Sequence, residues 1–238
     1  MQNSIKNNMK KLTIIAELDL NHNGNKDLIK EMIRQASFTG VDFVKLQLGW
    51  RGEKGEMNEI DSTDIENLYK YSELYNVKLL FSVFNKKSLD LLLPFKPQLI
   101  KIASRILKND LELVKEIHSL GIKTISSVGM IDFNKIPKLD KNLNTFLYCR
   151  SKYPTYHDDL TSFPINFNEN KFVGYSDHCL GISACLLAIS RGAKIIEKHF
   201  TLDKSDTTIR DHVLSSTPDE FEQLVRLGHE ISTYSEIL

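Results

Sequence analysis

The sequence predicts a single-domain (β/α)8 barrel, the TIM-barrel architecture. Three observations carry that expectation. Short apolar runs recur along the 238 residues, and most are followed by a stretch with apolar residues at helical spacing. The runs are nearly continuous in Val, Ile and Leu, as strands buried on both faces require. Glycines fall at helix exits, which suits parallel strands joined through covering helices. Residues 1–11 read as a flexible polar tail and residues 12–238 as the barrel domain.

In chain order, LTIIAEL (12–18) is the first strand and runs into the turn-rich DLNHNG (19–24). Residues 26–38 form an amphipathic helix with Leu28, Ile29, Met32, Ile33 and Ala36 on one face, stopped by Gly40. VDFVKLQL (41–48) is the second strand, followed by a charged loop to residue 61. Ser62 or Thr63 is expected to cap a helix running to about residue 75. VKLLFSV (77–83) is the third strand, and residues 86–93 a short helix ended by Pro94. QLIKIAS (98–104) is the fourth strand, after which Asn109 or Asp110 caps a helix to Leu120. IKTISSV (122–128) is the fifth, with a weak helix over 133–139. NTFLYC (144–149) is the sixth, with a long loop after it. The stretch 171–200 supplies the last two strands, FVGY and AKIIE, around the helical CLGISACLLAISRG. Residues 218–234 close the chain as a helix. That makes eight strand–helix alternations.

Composition narrows the function. Thirty-one basic residues balance 31 acidic ones, which argues against a broad nucleic-acid or membrane-surface footprint. No apolar run approaches membrane-spanning length, and the N-terminus lacks the apolar core of a signal peptide. The three cysteines, Cys149, Cys179 and Cys185, show no CxxC spacing and suit a reducing, cytoplasmic location.

Polar residues gather at the C-terminal ends of the strands, the catalytic face of this architecture. Lys45 and Lys101 stand inside apolar strand sequences, where an ammonium is costly unless it meets an anion. With neighbouring serines they outline a pocket for phosphate or carboxylate. His178 and His199 end the last two strands, so parallel pairing sets them side by side. Two imidazoles converging there suggest a divalent metal site with open positions. Glu17 is the best general-base candidate, since a carboxylate beside lysines stays ionised, although it would serve equally as their salt-bridge partner. His22 orders the first loop in the simplest reading, His212 reads as a surface residue, and Cys179 as packing.

At these residues the chain resembles the N-acetylneuraminate (sialic acid) synthase family, enzymes that condense phosphoenolpyruvate with an amino sugar to make nonulosonic acids. The likeness is carried by AELDLNHNG (16–24), VKLQ (44–47), KIAS (101–104), SVGM (127–130) and CRSKYPT (149–155). It continues through GYSDHCLG (174–181), EKHFTLD (197–203) and RDHVLS (210–215). The resemblance implies that His178 and His199 hold a divalent metal, Mn2+ ahead of Mg2+ or Co2+. It implies that Lys45, Lys101, Ser104, Ser127, Ser151 and Ser176 hold the phosphate and carboxylate of phosphoenolpyruvate. Glu17, Gln47, Tyr153 and Asp211 match residues that meet the sugar or move protons.

The chain departs from the family pattern after strand three, where SVFN replaces STPF; Ser82 is retained as a substrate-binding position and the neighbouring Thr is lost at Val83. Arg105 and Ile106 replace a Gly and an acid, Val128 replaces Thr, Arg150 replaces a small polar residue, and Ile209-Arg210 replaces Gly-Pro. The three arginines are expected to bring an acidic group of the acceptor into reach. The family's C-terminal antifreeze-like domain has no match in these 238 residues and is not expected here, so the expected partners are a second copy of the chain and a separate capping protein. Two rival functions are a Schiff-base pyruvate aldolase or lyase using Lys152, and a non-catalytic sugar-binding homologue that needs a partner subunit.

Overall fold

The computed structural model describes residues 12–169 and 171–234. The expected tail, residues 1–11, lies outside them. Eight parallel strands close into a barrel in sequence order. They are β1 (Thr13–Glu17), β2 (Phe43–Leu48), β3 (Lys78–Val83), β4 (Leu99–Ile102), β5 (Lys123–Ser127), β6 (Asn144–Cys149), β7 (Phe172–Asp177) and β8 (Ile195–His199). β8 pairs with β1 and leaves no free edge.

Side chains alternate between the barrel interior and the surrounding helices. Ile14, Ala16, Val44, Leu46, Phe81 and Ile100 face outward into the main core. Ile15, Leu80, Ile125 and Leu147 face inward as a second, smaller cluster, with Phe43, Leu99 and Ile195 against it. Two residues further along the same strands, the inward positions become Glu17, Lys45, Ser82, Lys101, Ser127, Cys149 and Glu197. The period of two thus raises polar groups on an apolar floor, all at the C-terminal mouth.

Among the described residues seven α-helices surround the strands: α1 (Lys26–Phe38), α2 (Ser62–Leu74), α3 (Lys86–Leu92), α4 (Ser104–Asn109), α5 (Leu111–Ser119), α6 (Ser183–Ser190) and α7 (Pro218–Tyr234). The cap of α2 is Asp61 rather than Ser62 or Thr63, in a capping box with Asp64. Asp110 caps α5 as expected. The short α4 directly after β4 was not expected.

The alternation of strand and helix fails in two places. Among the described residues the β5–β6 and β6–β7 connections contain only single 3-10 turns, Phe133–Lys135 and His157–Asp159. Pro137, Pro154 and Pro164 fall in these segments and oppose helix. Aromatic side chains do the covering there. Tyr148 on the outer face of β6 meets Phe133, Phe163, Phe172 and Tyr175 at 5.1–5.8 Å between ring centroids. Its hydroxyl donates to the Thr161 carbonyl at 2.9 Å, so the buried polar tip is satisfied. Among the described residues no helix is long and apolar enough to cross a membrane.

Candidate active site

A cavity of about 290 Å3 opens at the C-terminal mouth of the barrel. It is lined by twelve of the residues singled out in the sequence: Glu17, Lys45, Gln47, Lys101, Ser104, Ser127, Ser151, Tyr153, Ser176, His178, His199 and Asp211. Ser82 is not brought to its wall. That side chain is fully buried, and its hydroxyl faces the Leu46 carbonyl at 3.4 Å.

The cavity floor is a network of two ammonium groups and two carboxylates. Lys45 Nζ lies 2.8 Å from Glu17 Oε2 and 3.8 Å from Glu197 Oε2. Lys101 Nζ lies 3.5 Å from Glu197 Oε1 and donates to Ser127 Oγ at 2.8 Å. Ser176 Oγ donates to Glu197 at 2.8 Å, and Gln47 Nε2 to Glu17 at 2.9 Å. Burial opposes the charge on Glu197, but Lys101, Lys45 and the Ser176 hydroxyl overcome it and hold the carboxyl at about 2. Burial likewise opposes the charge on Lys45, and Glu17 and Glu197 outweigh it, so its pKa is raised. For Lys101 burial wins and the pKa falls. Glu17 differs from expectation: burial raises its pKa despite Lys45 beside it. It is the salt-bridge partner of Lys45 and a carboxylate whose affinity for a proton burial raises.

Beside this floor, ligand atoms of Asp19, His199 and Asp211 all lie within 4.8 Å of one another. His199 ends β8, Asp211 comes from the segment before α7, and Asp19 from the turn after β1. Asp19 adopts φ of 46°, a left-handed conformation tolerated by Asp and concentrated at functional sites. Burial lowers the His199 pKa to about 3, so the ring is neutral and keeps a lone pair. Burial and the contact with Asp211 raise Asp19 well above the usual carboxyl range. His199 Nδ1 and Asp211 Oδ1 are buried without a hydrogen-bond partner. Orphaned donor atoms of this kind on a His–carboxylate set suit a divalent cation.

The second imidazole stands next to this group, the His178 and His199 ring centroids being 5.2 Å apart. His178 Nδ1 pairs with the Arg150 carbonyl at 2.8 Å, which turns Nε2 away from the backbone as a metal ligand requires. Burial opposes a charge on this ring, but the Cys149 sulfur at 3.8 Å and the Arg150 carbonyl raise its pKa. Tyr153 packs on His178 with centroids 4.2 Å apart, and burial keeps its phenol protonated.

Some expectations land elsewhere. The Arg150 side chain lies outside this cavity and lines a separate one with Lys171 and Phe133, because the residue after inward Cys149 faces outward. Ile106 and Val128 are buried in the core. His212 is buried, not on the surface, with Thr201 Oγ1 at 2.7 Å. His22 does order the first loop, accepting from the Gly24 amide and meeting Asn58 Oδ1 at 3.2 Å. Burial pushes the Cys179 thiol up to about 12, in keeping with a packing role. Lys152 is exposed and paired with Asp159 at 2.8 Å, a poor setting for a Schiff base. Asp19 and Trp50 are lining residues that sequence reasoning missed, and Glu197 was seen only as a strand end.

Fold and cavity together define a closed parallel barrel with two buried lysines on the cavity floor and a metal-capable corner at its C-terminal mouth. The chain belongs to the NeuB family, whose profile matches residues 51–236. It is 34% identical to an uncharacterized protein of Methanocaldococcus jannaschii, over 89% of this chain and 68% of that one. It is 32% identical to the N,N'-diacetyllegionaminic acid synthase of Campylobacter jejuni, over 91% of this chain and 75% of the relative. Among solved structures it resembles an N-acetylneuraminic acid (sialic acid) synthetase from Leptospira borgpetersenii, crystallised with citrate. That likeness has a TM-score of 0.82 and 28% identity, and covers 94% of this chain and 85% of that one.

Proposed function

We propose that the chain condenses phosphoenolpyruvate with a sugar aldehyde to give a nonulosonic or related 3-deoxy-2-keto sugar acid. The observation that carries this reading is the convergence of buried Lys45 and Lys101 on one cavity beside Asp19, His199 and Asp211. The methylene carbon of the enol attacks the aldehyde carbon, whose oxygen takes up a proton; water adds at C2, and the C2–O bond to phosphate breaks as the added hydroxyl loses its proton and becomes the ketone. Lys45 and Lys101 take up the negative charge of the donor, and Ser104, Ser127, Ser151 and Ser176 direct its oxygens. Gln47 and Tyr153 face the sugar. Glu17 takes the proton of the incoming water, a role that its raised pKa suits. His178, His199, Asp19 and Asp211 would hold a divalent ion, manganese by preference, with His199 as a neutral imidazole and Asp211 as a carboxylate. When bound, that ion supplies Lewis-acid polarisation of the aldehyde oxygen.

Release of inorganic phosphate from phosphoenolpyruvate, with manganese, over a panel of aldoses and their acetamido derivatives tests the reading. Phosphate release is expected only with an aldehyde present. Lys101→Ala is expected to slow it by about 10^2- to 10^3-fold, as for loss of one preorganised donor to developing charge. One observation favours a second reading: burial lowers the pKa of Lys101, as a Schiff-base lysine needs. Borohydride reduction with pyruvate separates the two. A covalent adduct on Lys101, with no phosphate released for any aldehyde, would overturn the condensation.

A further inference from the structure

Two guanidinium groups stand at the rim of the cavity and are not used by the chemistry above. Arg105 lies over the Trp50 ring at 4.2 Å from its centroid, and Arg210 over the Tyr153 ring at 4.5 Å. Both line the same cavity as Lys45 and Lys101. Trp50 is itself braced by Phe84, with ring centroids 5.6 Å apart. Stacking fixes the plane of a guanidinium while its edge keeps its N–H donors.

The protein's own charges do not account for them. On the floor Lys45 and Lys101 are matched by Glu17 and Glu197. No carboxylate among the described residues lies within ion-pair distance of Arg105. Among the described residues Arg210 has only Asp211 within ion-pair distance, at 3.5 Å through Nε. A donor held on the floor leaves the rim for the second reactant. A planar fork there matches a phosphate or carboxylate in two parallel bonds, which an ammonium does not.

We infer that the acceptor carries an anionic group, a phosphate monoester or a carboxylate, at the end remote from its carbonyl, and that the guanidinium groups on this rim, Arg105 foremost, receive it. This rests on the condensation proposed above, because it assigns the second reactant of that step. Arg105 and Arg210 act here as specificity-determining residues.

The test compares a neutral aldose, its terminal phosphate ester and its uronate, each with phosphoenolpyruvate and manganese, in the wild-type chain and in Arg105→Ala and Arg210→Ala. The wild type is expected to prefer one of the two anionic acceptors, and the pair of arms distinguishes phosphate from carboxylate. Arg105→Ala is expected to shrink the ratio of anionic to neutral kcat/KM by about 10- to 100-fold, mainly through KM, as loss of charge-assisted hydrogen bonds does. Arg105→Lys is expected to restore little of it, because the fork is gone. Preference for the neutral aldose, or equal losses on all acceptors, would overturn the inference. Calorimetric titration of the same three sugars without phosphoenolpyruvate gives a readout independent of turnover. Should no acceptor release phosphate while the phosphate ester or uronate still binds through Arg105, the condensation fails and the anion site stands. Should neither bind more tightly than the neutral sugar, the anion site fails.

Discussion

Glu17 and Lys45 show how a single buried pair decides both stability and chemistry. Each is nearly free of solvent, and they touch at 2.8 Å. Removing one partner of such a pair leaves the other uncompensated, which costs about 3–5 kcal/mol. Lys45→Met is therefore expected to lower the unfolding free energy by about that amount, and Lys45→Met/Glu17→Gln to recover part of it. The pH dependence follows from the sign of the Glu17 shift, which burial already raises and loss of Lys45 raises further. A carboxyl whose folded pKa exceeds its unfolded value folds most favourably below the unfolded value. The deficit of Lys45→Met is thus expected to grow as pH rises above the ordinary Glu range. Denaturant titrations of both variants at acidic and neutral pH measure it, and a deficit that shrank with rising pH would contradict the pairing. Lys45 and Lys101 were legible in the sequence because an ammonium inside an apolar strand is an anomaly that needs an explanation. Asp19 was not, since an acid in a polar turn is ordinary and its entry into the cavity depends on a backbone angle. Ser82 was read from its position at a strand end; the alternation does turn it inward, but the packing seals it below the cavity.

Among the elements, β7 and β8 lead into and end on the two histidines, and their fit depends on a missing side chain. A Cβ added at Gly174 would lie 2.0 Å from the Ile195 carbonyl oxygen, which is backbone of the neighbouring strand and cannot turn aside. Gly174→Ala is expected to push β7 from β8 and cost about 3 kcal/mol, the upper end for overpacking. A thermal unfolding midpoint equal to that of the wild type would show that the strands give way instead. The strands themselves were readable because eight apolar runs with glycine stops leave few other arrangements. The β5–β6–β7 side was not readable, because its cover comes from Phe133, Phe163 and Phe172 on segments with no helical period. The outward turn of Arg150 was within reach of the same period of two that turns Cys149 inward.

Across the whole molecule, the metal-capable corner draws on parts far apart in sequence: Asp19 after β1, His199 in β8 and Asp211 before α7, with His178 next to them after β7. An ion held there ties the first and last thirds of the chain together only when the barrel is closed. Binding to the folded state alone stabilises it by mass action, by about 2.7 kcal/mol at a hundred times the dissociation constant. For a domain of this size that is a rise of roughly 5–10 °C in the unfolding midpoint. Manganese is expected to produce such a rise in the wild-type chain, and a chelator to reverse it. His199→Ala removes a neutral imidazole whose Nδ1 is already without a partner, so that variant is expected to fold and to lose the rise. Asp211→Asn keeps the side-chain volume and one oxygen, and is expected to weaken the rise rather than abolish it. Scanning calorimetry with and without the metal checks all three. An equal rise in His199→Ala would mean that the ion binds elsewhere on the surface, and the corner formed by Asp19, His199 and Asp211 would lose its role.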